Sequence, residues 1–459
     1  MSGSDITTPA NMMYGVQRLQ NYSKNKFRLL PTSATTVGAY GIIQVPIVQG
    51  TIVDLSSLKM QLKVAATGSS VNGGASDAVF ARLPQDVSSL IQRVEVLING
   101  VLVNGSSSDY NACTRLRKLC KGTFDRDTSI DRAVSHSSIV PADANETVEV
   151  IMKDWLGTLF AGGDEGASNR FLHTGLCGDI TLRIQLAGNN ALVGKQQGVA
   201  ITDNYTTADA RANAALMSYQ VSDIKFSMEA VGMPPQYEMN LMADLASGGL
   251  EVGYEEMYSF PLQNITADAF ENRFSVSTRC LNGLFAGVRD ANSGTTGIRA
   301  HLLPDVIGDA VVSNAMRFRA YDSPTKQFSW QFSINNQKHP NYPADLIEAC
   351  ADTASVEDRN GVSGRGNLIT SFASFKDGVG VFPLSLKHNQ PTGGFPYTQL
   401  SSGLDTRSTN MAGTIEMRGM TTPTADAASG ETAVRSCLVC AVSQPLLMIN
   451  VGKSVAVSF

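Results

Sequence analysis

Two cysteines three residues apart, Cys437 and Cys440, and a glycine-rich run, Gly361-Val362-Ser363-Gly364-Arg365-Gly366, are the segments of this 459-residue chain whose residue types could do chemistry. A C-x-x-C pair can ligate zinc, but a zinc site needs four convergent ligands. No second pair and no closely spaced histidines accompany it. The pair lies in the apolar run Cys437–Val442, so both thiols read as buried strand residues. The glycine run lacks the Lys-Ser/Thr that completes a phosphate loop and sits in a long polar stretch, which reads as a loop. The histidines, His136, His173, His301, His339 and His388, are far apart, and none joins a nucleophile motif. The sequence therefore assigns no catalytic residue, no cofactor-binding residue and no metal ligand, and the chain reads as a non-enzyme.

The bulk composition narrows the remaining classes. Apolar residues make up 43% and charged residues 17%, with 41 glycines, which suits short strands and many turns better than a helical enzyme. A net charge of −5 without a basic cluster argues against sequence-specific nucleic-acid binding. The densest basic run, Arg115-Leu116-Arg117-Lys118, falls on an expected helix and reads as a solvated or interface face. An odd number of scattered cysteines is not a disulfide framework. The start, Met1-Ser2-Gly3-Ser4-Asp5, lacks the build of a signal peptide, and no apolar run is long enough to span a bilayer. The expectation is synthesis in a reducing compartment without secretion, leaving the sequons at Asn21, Asn104, Asn145, Asn204 and Asn264 unused.

These features must sit on a β-rich scaffold. Leu58–Val64, Ile180–Leu186 and Ile224–Ala230 alternate apolar and polar residues, the period of a half-buried strand. Thr147–Met152 is a further strand candidate. Residues 1–28 are polar and irregular and read as an N-terminal arm. Met233-Pro234-Pro235 ends any ladder, because neither proline has an N–H to donate. The junction is placed there, giving a first unit over 29–235 and a second over 236–459, with 236–250 as the link and a short helix over 237–248. Strands are expected in the second half at Met257–Leu262, Phe274–Thr278, Met316–Tyr321, Phe328–Ile334, Val379–Leu386, Thr414–Met417, Cys437–Val442, Leu446–Asn450 and Ser454–Phe459.

One pattern occurs twice. Val94–Ile98 runs into Asn99-Gly100, then Tyr110, then a helix-like stretch over Ala112–Leu119. Phe328–Ile334 runs into Asn335-Asn336, then Tyr342, then a helix-like stretch over Ala344–Cys350. Internal repetition on this scale suggests two copies of one β-rich domain. Tyr110 and Tyr342 read as matched packing residues, each fixing its helix against its sheet. Many short strands per half, with helices confined to connections, point to sandwiches or jelly rolls.

The run Ser89–Gly100 followed by Asp109-Tyr110-Asn111 resembles the double jelly-roll major capsid proteins of Polinton-like viruses, virophages and related double-stranded DNA viruses of the adenovirus-like lineage. Arg28–Pro31 through Ile52–Leu55, Val221–Phe226 and the C-terminal strand pair resemble other parts of the same fold. The resemblance implies an all-β chain of two tandem eight-stranded jelly rolls. It also implies a homotrimer of near-sixfold outline that tiles an icosahedral virion shell with neighbouring capsomers, penton and minor or cement proteins. The alternative is a tandem β-sandwich attachment protein, lectin-like or fibre-like. That reading would need clustered aromatics, whereas aromatic content is 7% and Trp155 and Trp330 are the two tryptophans. A β-rich hydrolase and a single-roll capsid protein of another lineage are further rivals.

Overall fold

The structure is a computed structural model. It describes residues 23–458 except 34, 85–86, 106–107, 121–142, 154, 162–170, 201–203, 234, 292–300, 304–309, 313–315, 356–371, 373–374, 377–379, 387–402, 408–411, 423 and 426–431. The glycine-rich run 361–366, His136 and His388 lie outside the described residues.

Eight strands of the first half build its two main sheets: β1 (Ser23–Leu29), β2 (Ile42–Pro46), β3 (Ile52–Thr67), β4 (Ile91–Ile98), β5 (Val101–Asn104), β6 (Thr147–Met152), β7 (Ile180–Leu186) and β8 (Ser218–Gly232). They form one sheet in the order β1-β8-β3-β6 and a second in the order β2-β7-β4-β5, with the short strands Val37–Gly38 and Phe171–His173 added to the first. The second half contributes β9 (Glu256–Ile265), β10 (Phe270–Ser275), β11 (Leu281–Asp290), β12 (Ser329–Ile334), β13 (Gln337–Ala344), β14 (Phe382–Ser385), β15 (Ala412–Arg418) and β16 (Arg435–Ser443). Their sheets run β9-β16-β11-β14 and β10-β15-β12-β13. Adding eight to each strand number of the first half reproduces the second. All sixteen strands pair antiparallel, and among the described residues every pairing stays within its own half.

Each half is thus two facing four-stranded sheets that bury their inner faces against one another, the eight-stranded roll expected from the sequence. The alternating segments behave as their period demands. In β7 Ile180, Leu182, Ile184 and Leu186 are buried while Thr181, Arg183 and Gln185 are half-buried. In the second roll Phe274, Trp330, Phe332 and Phe382 fill the space between the sheets in tilted and edge-to-face contacts.

The repeated pattern is a hairpin followed by a helix. Asn99 and Gly100 (φ +50° and +80°) join β4 to β5, and Asn335 and Asn336 (φ +50° and +64°) join β12 to β13. Two successive positive φ values make the tight turn whose twist suits a β-hairpin, and Asn and Gly tolerate them best. Helix α1 (Tyr110–Cys120) follows the first hairpin and helix α3 (Leu346–Ser355) the second; between them α2 (Pro235–Gly248) links the rolls.

Several expectations change. The irregular arm gives way at Ser23, because residues 23–29 pair with Gly232–Phe226 as β1; residues 1–22 lie outside the described set. Met316–Tyr321 is not a strand. Its backbone instead bonds across to Val288, Lys376 and Gly380 as a buried strap beside β11. The strand expected at Phe274–Thr278 lies earlier, at Phe270–Ser275. Tyr342 is 55% exposed within β13, where its hydroxyl bonds Glu348, whereas Tyr110 is buried at the start of α1. The two tyrosines are therefore not equivalents, and the helices match as Tyr110 and Leu346.

The turn at Gly100 gives a clean test, since a Cβ there would meet nothing within 4 Å. Gly100→Ala then carries only the cost of a positive φ, about 1 kcal/mol. Urea titration should show that loss with an unchanged slope. An unchanged midpoint would contradict the turn geometry.

Candidate functional site: the seam between the rolls

The strands β11 and β16 break the alternation seen elsewhere. Every residue of Leu281–Asp290 and of Arg435–Ser443 is buried. A sheet strand buried on both faces must be covered on both. The inner face meets the second roll's other sheet, and α1 of the first roll packs on the outer face against β9, β11 and β16. Gly287 permits that approach: a Cβ there would stand 2.6 Å from Leu116 of α1 and 2.5 Å from Phe318 of the strap.

Helix α1 is consequently buried nearly all round. The basic run is an interface face rather than a solvated one, with Arg117 fully buried and Arg115 and Lys118 nearly so. Arg117 pairs with the buried Glu255, on the segment leading into β9. Lys118 Nζ donates to Ser88 Oγ at 3.0 Å. Arg289, at the far end of β11, faces Asp109 at 3.8 Å, and burial pushes its guanidinium pKa down.

Further bonds stitch the halves. The Tyr254 hydroxyl donates to the Val103 carbonyl at 2.8 Å, and burial drives that phenol's pKa up. Asn104 Nδ2 donates to the Glu255 carbonyl at 3.2 Å while its Oδ1 accepts from Leu159 N–H at 2.7 Å. This holds the Asn104 sequon inside the seam. At the turn after β4, Asn99 Nδ2 donates to the carbonyls of Cys177 and Lys453, the latter in the C-terminal hairpin Leu446–Ser458.

The candidate chemistry resolves in the same frame. All seven cysteines are free thiols, and all but Cys350 are buried. Burial pushes Cys437 and Cys177 up to about 12, and it raises Cys440, beside Cys113, well above the usual thiol range. Such thiols stay protonated and are poor ligands and nucleophiles. Among the described residues no group of three or more His, Cys, Asp or Glu side chains could hold a metal ion. His173 lines an apolar groove of about 290 Å³ with Ile52, Leu176, Tyr237 and Leu241, and His339 lies on β13. No described helix is long and apolar enough to cross a membrane.

This geometry can be set beside known structures. Over 96% of this chain and 98% of the other, it is similar to PBCV-1 VP54 as fitted into a reconstruction of the virophage Sputnik, at TM-score 0.58 and 13% identity. It is similar to the quasi-atomic PBCV-1 virus capsid over the same shares, at TM-score 0.55 and 13% identity. It is also similar to the Faustovirus major capsid protein over 94% and 91% of the two chains, at TM-score 0.54 and 9% identity. The fold is a double jelly roll. No protein-family model and no curated protein matches the sequence. At 13% identity or less, a double jelly roll is recognised here by its strand order and its paired sheets, not by shared residues.

Two expected outcomes test the seam. Arg117→Ala leaves Glu255 buried without that partner, which should cost about 3–5 kcal/mol, while Arg117→Met with Glu255→Gln should recover most of it. A double variant no more stable than the single would contradict the pairing. For the thiols, a folded-state pKa raised above the free value of 9.0 means stability intact below pH 9 and lost as pH climbs towards 12. At pH 8 a thiol reagent should therefore find at most Cys350 in the native protein and all seven cysteines after denaturation. Fast native reaction of Cys437 or Cys440 would contradict the burial.

Proposed function

We propose that this chain is a major capsid protein whose three copies form a pseudo-hexameric capsomer, and that such capsomers tile an icosahedral virion shell. The observation that carries the reading is the duplication. Two rolls of identical strand order lie in one chain and are locked together by a buried seam. Three such chains around a threefold axis present six similar wedges, and closed cyclic symmetry satisfies their lateral surfaces. The full-length likeness to the fold of PBCV-1 and Faustovirus capsid proteins supports the same reading.

The mechanism is assembly without chemistry. Within each roll the apolar residues are spent on the core, which leaves outer sheet faces, loops and the link for contacts. Helix α2 has the composition of a contact element: of its residues only Leu245 is buried, while Met239 and Met242 are 71% and 51% exposed. Partners on this reading are the chain itself, neighbouring capsomers, and penton and minor or cement proteins. The chain is made inside the host cell, is not secreted, and ends in the virion shell. No sequence-specific nucleic-acid role is assigned. The domain division becomes a first roll from β1 to β8, a link through α2, and a second roll from β9 onward.

Light scattering after size exclusion should return a mass of three chains that persists on dilution, and imaging should show particles of hexagonal outline. A clean monomer at all concentrations would overturn the capsomer and favour the attachment-protein alternative.

A further inference from the structure

We propose that helix α3 of one copy docks on the outer face of the sheet β1-β8-β3-β6 of the next, closing the trimer through a seam of reversed charge. The inference rests on the capsid reading and names the two surfaces that join its copies. It starts from the seam inside the chain. There α1, which follows the β4–β5 hairpin of the first roll, covers the outer face of the sheet β9-β16-β11-β14. Helix α3 follows the matching β12–β13 hairpin, and the sheet that matches β9-β16-β11-β14 is β1-β8-β3-β6. A ring of rolls in alternating order makes the first contact within each chain and the second between chains. Such a contact joins two unlike surfaces head to tail, and it closes when the rotation completes a circle.

The sheet face is cationic. Arg28 on β1, Ser227 on β8 and Lys59 on β3 stand on one rung, Lys225 and Gln61 on the next, and Ser222 and Lys63 on the one after. Directly opposed residues of antiparallel strands share a face. The residues between these rungs, Met60, Leu62 and Phe226, belong to the core, so the cations point outward. Arg28 and Lys63 are exposed and Lys59 is half-buried. Two carboxylates of the face are already paired, Asp223 with Lys225 at 2.7 Å and Glu229 with Lys24 at 2.5 Å. Glu149 lies opposite Lys63 on β6. Among the described residues, no ion pair and no side-chain hydrogen bond engages Arg28, Lys59 or Lys63. The hydrogen bond from Lys225, with the charges of Lys225, Arg28 and Lys63, holds the Asp223 carboxyl below the usual carboxylate range. Cations of three strands therefore converge on one area.

Helix α3 carries the opposite sign. It holds Glu348 and Asp352 and neither lysine nor arginine, and Asp345 just before it accepts from the Glu348 N–H at 2.8 Å. Leu346, Ala349 and Thr353 face inward and are buried, whereas Ile347 is 66% exposed and Ala351, one turn on, is exposed as well. The outward side is thus an apolar ridge flanked by carboxylates at the same spacing. The lengths agree. The 10 residues of α3 span ~15 Å, and the strand from Lys59 to Lys63 covers ~13 Å. The signs also keep the two contacts apart. Helix α1 brings Arg117 to Glu255, whereas α3 brings carboxylates to cations. Exchanging the helices would set like charges together on both sheets. A polyanion is the other occupant such a face would attract, but it would leave the apolar ridge of α3 uncovered.

The test uses the full chain in sedimentation velocity over a dilution series, with circular dichroism to confirm that each variant is folded. Arg28→Glu with Lys63→Glu reverses the sheet face, and Glu348→Lys with Ala351→Lys reverses the helix. Each pair should raise the concentration at which the trimer dissociates by roughly tenfold or more, and all four substitutions in one chain should restore it. Should the glutamate pair unfold, Arg28→Gln with Lys63→Gln takes its place and should shift dissociation the same way by a smaller factor. A trimer indifferent to both surfaces, or a folded fourfold variant no better than either pair, would overturn the interface while leaving the capsid reading in place. An unaltered chain that is monomeric throughout would instead overturn the capsid reading, and the interface with it. An intact trimer that binds heparin, and loses that binding on Arg28→Gln with Lys63→Gln, would show the face open to a polyanion and would also overturn the interface.

Discussion

The structure depends on covering the outer face of the sheet β9-β16-β11-β14. Its two central strands carry apolar residues on both sides, so a second roll standing alone would expose a wide hydrophobic face. Helix α1 of the first roll closes that face, and Gly287 lets it come close enough to pack. The helix brings its own cations into the interior. It can do so because Glu255 on the linking segment receives Arg117 and Ser88 of the first roll receives Lys118, while Asp109, just before the helix, faces Arg289 of β11. A buried ion pair adds little net stability over an apolar replacement. What it supplies here is register, since Arg117 and Glu255 meet only when the helix sits at one position on the sheet.

That single arrangement turns two domains into one building block. Rolls joined by a loose linker could take many relative orientations, and a ring of three chains would then pay for ordering them on assembly. The seam instead fixes the orientation at folding, and Asn99 ties the first roll to the C-terminal hairpin of the second. The sheets outside the seam keep a polar or mixed outer face, as in β3 and β8, and remain open to neighbouring chains. On the proposed capsid reading, such a rigid wedge with varied outer surfaces would serve shell assembly from many weak contacts.

Much of this was legible in the residue order. Alternation located β3, β7 and β8 because one face of each is wet, and Asn99-Gly100 and Asn335-Asn336 marked both hairpins because those residues accept positive φ. The tyrosine equivalence failed for a length reason. Strand β13 has eight residues where β5 has four, so Tyr342 falls inside a strand while Tyr110 opens a helix. The seam left a fainter signal. The apolar run Cys437–Val442 was read as a buried strand, but the strand Leu281–Asp290 was not expected at all, and nothing local named the cover. The basic run on α1 looked like a surface, because the partners of Arg117 and Lys118, Glu255 and Ser88, come to it only in three dimensions.

Differential scanning calorimetry of the intact chain tests the central claim most directly. If the seam makes the two rolls one unit, unfolding should be a single transition whose van't Hoff and calorimetric enthalpies agree. Two resolved transitions, or a van't Hoff enthalpy near half the calorimetric value, would show the rolls unfolding independently and would contradict the account.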